Sequence, residues 1–350
     1  MTPFVQFLLT LAAGVAVGWL FERIKVPGGM LVGAIVGAAA LNIAFAAAFI
    51  PIQAKVLAQI TAGAFIGSTV ERSDLQRLRQ IYKPAAILLG SYLVLNILLG
   101  FLILACSDLA PATAFFCAVP GGISDIPLIA ADMGANAPQV AVLQFVRLVV
   151  GIGVFPGMIN AVCKNEEQAA AQDTSEELRT VSEEKSAAVF LVTLSAAIVC
   201  GLTGMLLGWP AGALVFSLLG VIVLKLVWGK VYLPPWMRRL AQVLSGTYIG
   251  CSIGMRDLLE LRLLILPATL LIVGYSANCF LAGWTLRRFC GMSRKEAMLA
   301  STPAGATDMA LISIDMGVQS TDLVVLQVLR LIVVTSLFPQ VIHLILLMIG

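Results

Sequence analysis

The chain has 350 residues, of which 60% are hydrophobic and only 12% charged, with a formal net charge of +3. A soluble protein of this size needs a far more polar surface, so lipid must solvate much of this one. Continuous apolar runs of about twenty residues exclude a barrel of alternating strands, a single histidine excludes a multi-histidine metal centre, and no basic, aromatic-studded face points to nucleic acid.

In chain order, apolar spans are predicted near 3–20, 29–49, 54–70 and 84–106, then a broken apolar segment at 112–134 and a span near 139–162. The first of these lacks the basic start of a signal peptide, so it is read as a retained span. Residues 164–186 hold seven acidic residues, from Glu166 to Glu184, and read as a polar linker. Further spans follow near 187–208, 211–228, 239–254, 267–286, 297–317 and 321–346. The seven cysteines form no C-x-x-C pair and lie mostly in apolar runs, where a thiol behaves as a small hydrophobe. No cofactor and no metal is implied.

The second series repeats the first at an offset of 183 residues. Between 120–156 and 303–339, 16 of 37 positions are identical without a gap, including Pro120/Pro303, Gly122/Gly305, Asp125/Asp308, Asp132/Asp315, Gln144/Gln327 and Arg147/Arg330. Gln59/Gln242, Gly63/Gly246, Gly67/Gly250 and Tyr92/Tyr275 extend the match. We therefore divide the chain into a first membrane repeat (1–163), an acidic linker (164–186) and a second membrane repeat (187–350). Duplicated halves in a membrane protein direct attention to their interface.

Lys and Arg set the expected topology. With five crossings per half and the broken segments folded as re-entrant hairpins, 17 basic residues fall on one side and 3 on the other. With six crossings per half the split is 8 to 12. The expected fold is therefore all-α and polytopic: about ten transmembrane helices in two inverted five-helix repeats, each with a re-entrant broken-helix hairpin. Both termini fall outside and the linker falls in the cytoplasm.

Each hairpin carries a break signal, Pro120-Gly121-Gly122 and Pro303-Ala304-Gly305. Broken backbone at membrane depth is tolerated where it is buried in protein or lines a wet cavity, and a helix restarting there would aim N–H groups at an anion. Gly122, Ser124, Asp125, Gly305, Thr307 and Asp308 are the resulting candidates. Ser124 and Thr307 either cap the restarting helix or touch a ligand. An intramembrane carboxylate by default marks an ion or proton path, so Asp125 and Asp308 are read as binding a coupling ion, the alternative being a structural carboxylate that caps the hairpin or pairs with an arginine. Arg147 and Arg330 either pair with these carboxylates, fork onto a solute carboxylate or phosphate, or snorkel. Asp132, Asp315, Gln144, Gln327, Gln59 and Gln242 are secondary candidates. Gly63 and Gly67, with their copies, read as a close-packing face or as a solute-lining one.

The repeated P-x-G-x-S/T-D block, with Gln-x-x-Arg and Phe-Pro downstream in both halves, resembles the duplicated membrane domain of the AbrB family, which also carries the label ammonia monooxygenase, or AmoA-like. The resemblance implies a multi-pass protein of the bacterial inner membrane. It does not carry the enzyme label: copper chemistry needs several histidines, so no ammonia monooxygenase is expected, and the absence of a visible nucleophile–base pair or metal cluster in the sequence makes no other enzyme the expectation. Nor does it carry the strand-swapped DNA-binding module that shares the AbrB name. The expectation is a secondary transporter or exporter of a small organic, anionic solute coupled to H+ or Na+. The alternative is a membrane sensor or regulator acting on gene expression through a cytoplasmic partner. The expected partners are the bilayer, the solute and the ion, with no nucleic acid; homo-oligomerisation stays open.

Overall fold

A computed structural model describes residues 2–70, 81–163, 186–255, 257, 261–304, 309, 312–313, 316, 318 and 320–349. Every regular element among them is helical. In the first half these are α1 (Pro3–Arg23), α2 (Gly29–Phe45), α3 (Ile52–Ser68), α4 (Tyr82–Cys106), α5 (Pro111–Cys117), α6 (Ile126–Asp132), α7 (Ala137–Gly153) and α8 (Phe155–Cys163). In the second half they are α9 (Ala187–Leu206), α10 (Gly212–Trp228), α11 (Pro235–Cys251), α12 (Ile265–Cys290), α13 (Arg294–Ala300), α14 (Thr321–Ser336) and α15 (Phe338–Ile349). Displaced by 183 residues, α2, α3 and α5 coincide end for end with α10, α11 and α13. Among the described residues six helical stretches are long and apolar enough to cross a membrane, including Ala137–Cys163 and Asp322–Ile349. Those two are each interrupted where Phe-Pro begins α8 and α15, where proline cannot donate the backbone bond that would continue the helix.

Three contacts between the halves decide their relative direction. Arg239, in the first turn of α11, pairs with Glu22 at the end of α1 at 2.9 Å. Lys225, near the end of α10, donates to Ser68 O at the end of α3 (2.6 Å). Asn42, near the end of α2, donates to Cys251 O and Ile253 O at the end of α11 (3.1 and 3.0 Å). α11 therefore starts on the side where α1 and α3 end, whereas its copy α3 starts on the other. The second half is inverted. We call the side where α8 ends and α9 begins the linker side.

The halves interlock. α3 packs on α10 and α11 on α2, in both cases through glycines. A Cβ on Gly63 would lie 2.2 Å from Leu214 O and Ser217 Oγ, and one on Gly250 would lie 2.4 Å from Ile35 O. The glycine pairs are thus close-packing faces, which settles one alternative left open by the sequence.

The segment between α4 and α7 is a re-entrant hairpin. Asn136, four residues beyond α6, donates its N–H to Thr113 Oγ1 in the first turn of α5 (3.0 Å), so the chain returns to the side from which it entered. Gly134, at φ +73°, makes the turn, and the Asn136 side chain caps α7 by accepting from Gln139 N at 3.2 Å. In the second half Ser320 Oγ donates to Glu296 Oε1, which closes the base of the corresponding segment against α13. Counting α7–α8 and α14–α15 as single spans, the described helices run ten times between the two sides of the bundle. The first hairpin enters from the side opposite the linker and the second from the linker side.

Candidate functional site

The break after α5 leaves carbonyls with no helical partner, and buried carbonyls must be satisfied. Arg147 and Gln144, one turn apart on α7, do this. The Arg147 guanidinium donates to Val119 O (2.9 Å) and Gly121 O (2.5 Å), and Gln144 Nε2 donates to Phe116 O (3.2 Å) and Val119 O (2.9 Å). The second half repeats the arrangement: Arg330 donates to Thr302 O at 2.9 Å and to Ala304 O, and Gln327 to Leu299 O and Ala300 O at 3.2 and 3.0 Å. Both arginines are buried, 6% and 3% exposed. Their positive charge lies at the C-terminal end of a half-helix, where the backbone dipole is negative.

Arg147 therefore holds unwound backbone and does not pair with Asp125. What each cluster leaves unsatisfied is also repeated: Arg147 Nε, Arg330 Nε, Gln144 Oε1 and Gln327 Oε1 are buried with no hydrogen bond.

Two tyrosines, Tyr92 on α4 and Tyr275 on α12, link the hairpins across the halves. Tyr92 Oη donates to Ser301 O in the second half and Tyr275 Oη to Ala118 O in the first, both at 2.8 Å. The Arg330 guanidinium lies 5.9 Å from the centre of the Tyr92 ring. The helices that bear the arginines touch the opposite hairpins as well. A Cβ on Gly151 would lie 3.3 Å from Ala304 Cβ, and one on Gly121 would lie 3.2 Å from Val334 Cγ1. The two breaks thus meet at the centre of the bundle.

Asp125 stands just before α6 and is 6% exposed. It forms no ion pair among the described residues. One carboxylate oxygen lies over Gly122, so that a Cβ there would sit 2.3 Å from it and the Asp125 side chain would have to turn away. Ser124, partly exposed, lies beside it. Two sequence expectations fail here. Ser124 is not the cap of α6: Asp125 occupies that position, and its side chain makes no capping bond. Nor does α6 offer an anion site at its N-terminus: it has only seven residues, and the Ile126 N–H is already given to Gly122 O at 3.2 Å. Gly305, Thr307, Asp308 and Asp315 lie outside the described residues.

At the base of the first hairpin, Asp132 accepts from two residues one turn apart on α3. Lys55 Nζ pairs with Asp132 Oδ1 at 2.5 Å, and Gln59 Nε2 donates to Oδ2 at 2.5 Å. The Lys55 ammonium also lies 5.1 Å from the centre of the Tyr248 ring on α11. The copy of Gln59, Gln242, is partly exposed on α11. Lys55 was absent from the sequence candidates. Its signal was a cation four residues before Gln59, repeated as Arg238 before Gln242, which places both on one helix face. A cavity of about 300 Å³ lined by Lys83, Cys290, Met292 and Asp322 among others touches none of the candidate residues.

The fold and these paired clusters define an inverted-repeat membrane protein with two re-entrant hairpins joined at its centre. The chain matches the family described as "Transition state regulatory protein AbrB" over residues 1–87 and 47–346, and it belongs to that family. It is 25% identical over 342 residues to "Uncharacterized protein YhjN" of Bacillus subtilis (strain 168), covering 95% of this chain and 88% of that one. It is 26% identical over 335 residues to "Putative regulator AbrB" of Escherichia coli (strain K12), covering 94% and 93%.

Proposed function

We propose that this protein is a secondary transporter or exporter of a small organic anion, coupled to H+ or Na+, in the bacterial inner membrane. The observation that carries the reading is Asp125, a carboxylate buried at a break in the backbone with no ion-pair partner among the described residues. A carboxylate so placed becomes cheaper to bury when it takes up a cation. In this reading Asp125 binds the coupling ion, Arg147 and Arg330 keep the hairpin breaks open while their free Nε–H groups meet the solute, and Gln144 and Gln327 orient it. The halves alternate access by moving against one another, as interlocked inverted repeats allow. In this reading the linker side, which carries the excess of Lys and Arg, faces the cytoplasm. The name of the Escherichia coli relative favours a second reading, a membrane-bound regulator that binds its ligand without moving it.

The test is thermal unfolding of the purified protein in NaCl or choline chloride at several pH values, with Asp125→Asn alongside. A ligand bound only by the folded state stabilises it by about 2.7 kcal/mol at a hundred times its Kd. The expected result is a sodium- or pH-dependent melting temperature in the wild type that Asp125→Asn flattens. Identical responses from the two proteins overturn the assignment of Asp125.

A further inference from the structure

An inverted repeat places equivalent residues at the two opposite mouths, so a difference in how deeply they are buried bears on the conformation. Lys55 on α3 and Arg238 on α11 are equivalent at the 183-residue offset. Each cation lies over the aromatic ring that the other half's copy of the helix provides: Lys55 over Tyr248 at 5.1 Å and Arg238 over Phe65 at 5.6 Å. Phe65 and Tyr248 are themselves equivalent. The environments nevertheless differ. Lys55 is 5% exposed and clamped to Asp132, whereas Arg238 is exposed. Gln59 is buried on the same carboxylate, whereas Gln242 is partly open. Asp125 stands at the other end of α6 from Asp132.

We infer that Lys55, Gln59 and Asp132 are the latch of a gate that closes the mouth opposite the linker, and that the mouth at Arg238 stands open. The inference rests on the transport reading and adds the side from which the hairpin site is reached. Asp132 ends α6, so its bonds to Lys55 and Gln59 tie the returning arm of the hairpin to the first turn of α3. Opening that mouth requires α6 to part from α3. The latch must then break, and Lys55 and Asp132 can be hydrated as they separate. Tyr248 holds the ammonium in place from α11, so the movement of the second half is felt at the same point.

The test uses Ser124→Cys as a reporter beside Asp125, labelled with a membrane-impermeant maleimide in vesicles of each orientation and read at residue 124 by peptide mass spectrometry. With the latch intact, labelling from the linker side is the faster. Asp132→Asn leaves Lys55 without its counter-charge, and should raise labelling from the opposite side by about tenfold or more while slowing it from the linker side. Gln59→Ala should move both rates the same way by less. The exchange Lys55→Asp with Asp132→Lys should return them toward the wild type, which a generally loosened protein would not do. Wild-type labelling from both sides, with a ratio that neither Asp132→Asn nor Gln59→Ala moves, overturns the gate and leaves transport standing. Labelling confined to one side in every variant overturns the transport reading along with it.

Discussion

Gly63→Ala gives a sharp test of the interlocked halves, because the packing surface makes one methyl group decisive. The added Cβ would lie 2.2 Å from Leu214 O and from Ser217 Oγ, well inside contact distance. Leu214 O is backbone in α10 and cannot rotate away, so α3 and α10 must separate. Overpacking of this kind costs about 1–3 kcal/mol. The separation also weakens the bond from Ser217 Oγ to Ile60 O (3.2 Å), worth about 1 kcal/mol. The expected loss is therefore about 2–4 kcal/mol, a large share of an ordinary stability. Gly90→Ala is the control: a Cβ on Gly90, exposed in the middle of α4, meets nothing within 4 Å. Relieved of glycine's backbone entropy, that variant should gain up to about 1 kcal/mol. Detergent-solubilised protein, heated in steps and followed by size-exclusion chromatography, should rank Gly90→Ala at or above the wild type and Gly63→Ala clearly below it. A Gly63→Ala protein as stable as the wild type would refute the close approach of α3 and α10.

Two further variants probe the centre. Arg147→Lys keeps the charge but loses the fork that reaches Val119 O and Gly121 O together; it should cost about 1.5–3 kcal/mol and raise amide hydrogen exchange in 118–125, and unchanged exchange there would contradict the clamp. Tyr92→Phe and Tyr275→Phe should each leave a buried carbonyl of the opposite hairpin unpaired, at about 1–3 kcal/mol, with similar falls in melting temperature because the two bonds are equivalent by the repeat.

Much of the architecture was legible in the chain because its signals are local. Hydropathy located the spans to within a few residues. The proline and glycines at 120–122 marked the place where α5 and α6 part. The excess of Lys and Arg on one side chose the inverted plan that the contacts Arg239–Glu22 and Lys225–Ser68 then displayed. The site was less legible. Asp125 and Arg147 stood out as charges in apolar surroundings, but their partners did not. Complementary charge suggested an ion pair, whereas the broken half-helix supplied carbonyls that the guanidinium meets 26 and 28 residues back along the chain.

The sequence by itself determined that the protein lives in lipid, that it is built twice, and roughly where the described spans lie and the first hairpin breaks, since composition, periodicity and turn residues act over a few neighbouring positions. Only the tertiary structure decided that Arg147 holds backbone, that Lys55 and Gln59 converge on Asp132 from 77 and 73 residues away, and that tyrosines of each half bond the hairpin of the other. Those choices depend on which helices lie side by side. The difference between buried Lys55 and exposed Arg238 had to come from the structure too, because both positions carry a cation four residues before a glutamine and the pattern does not say which is buried.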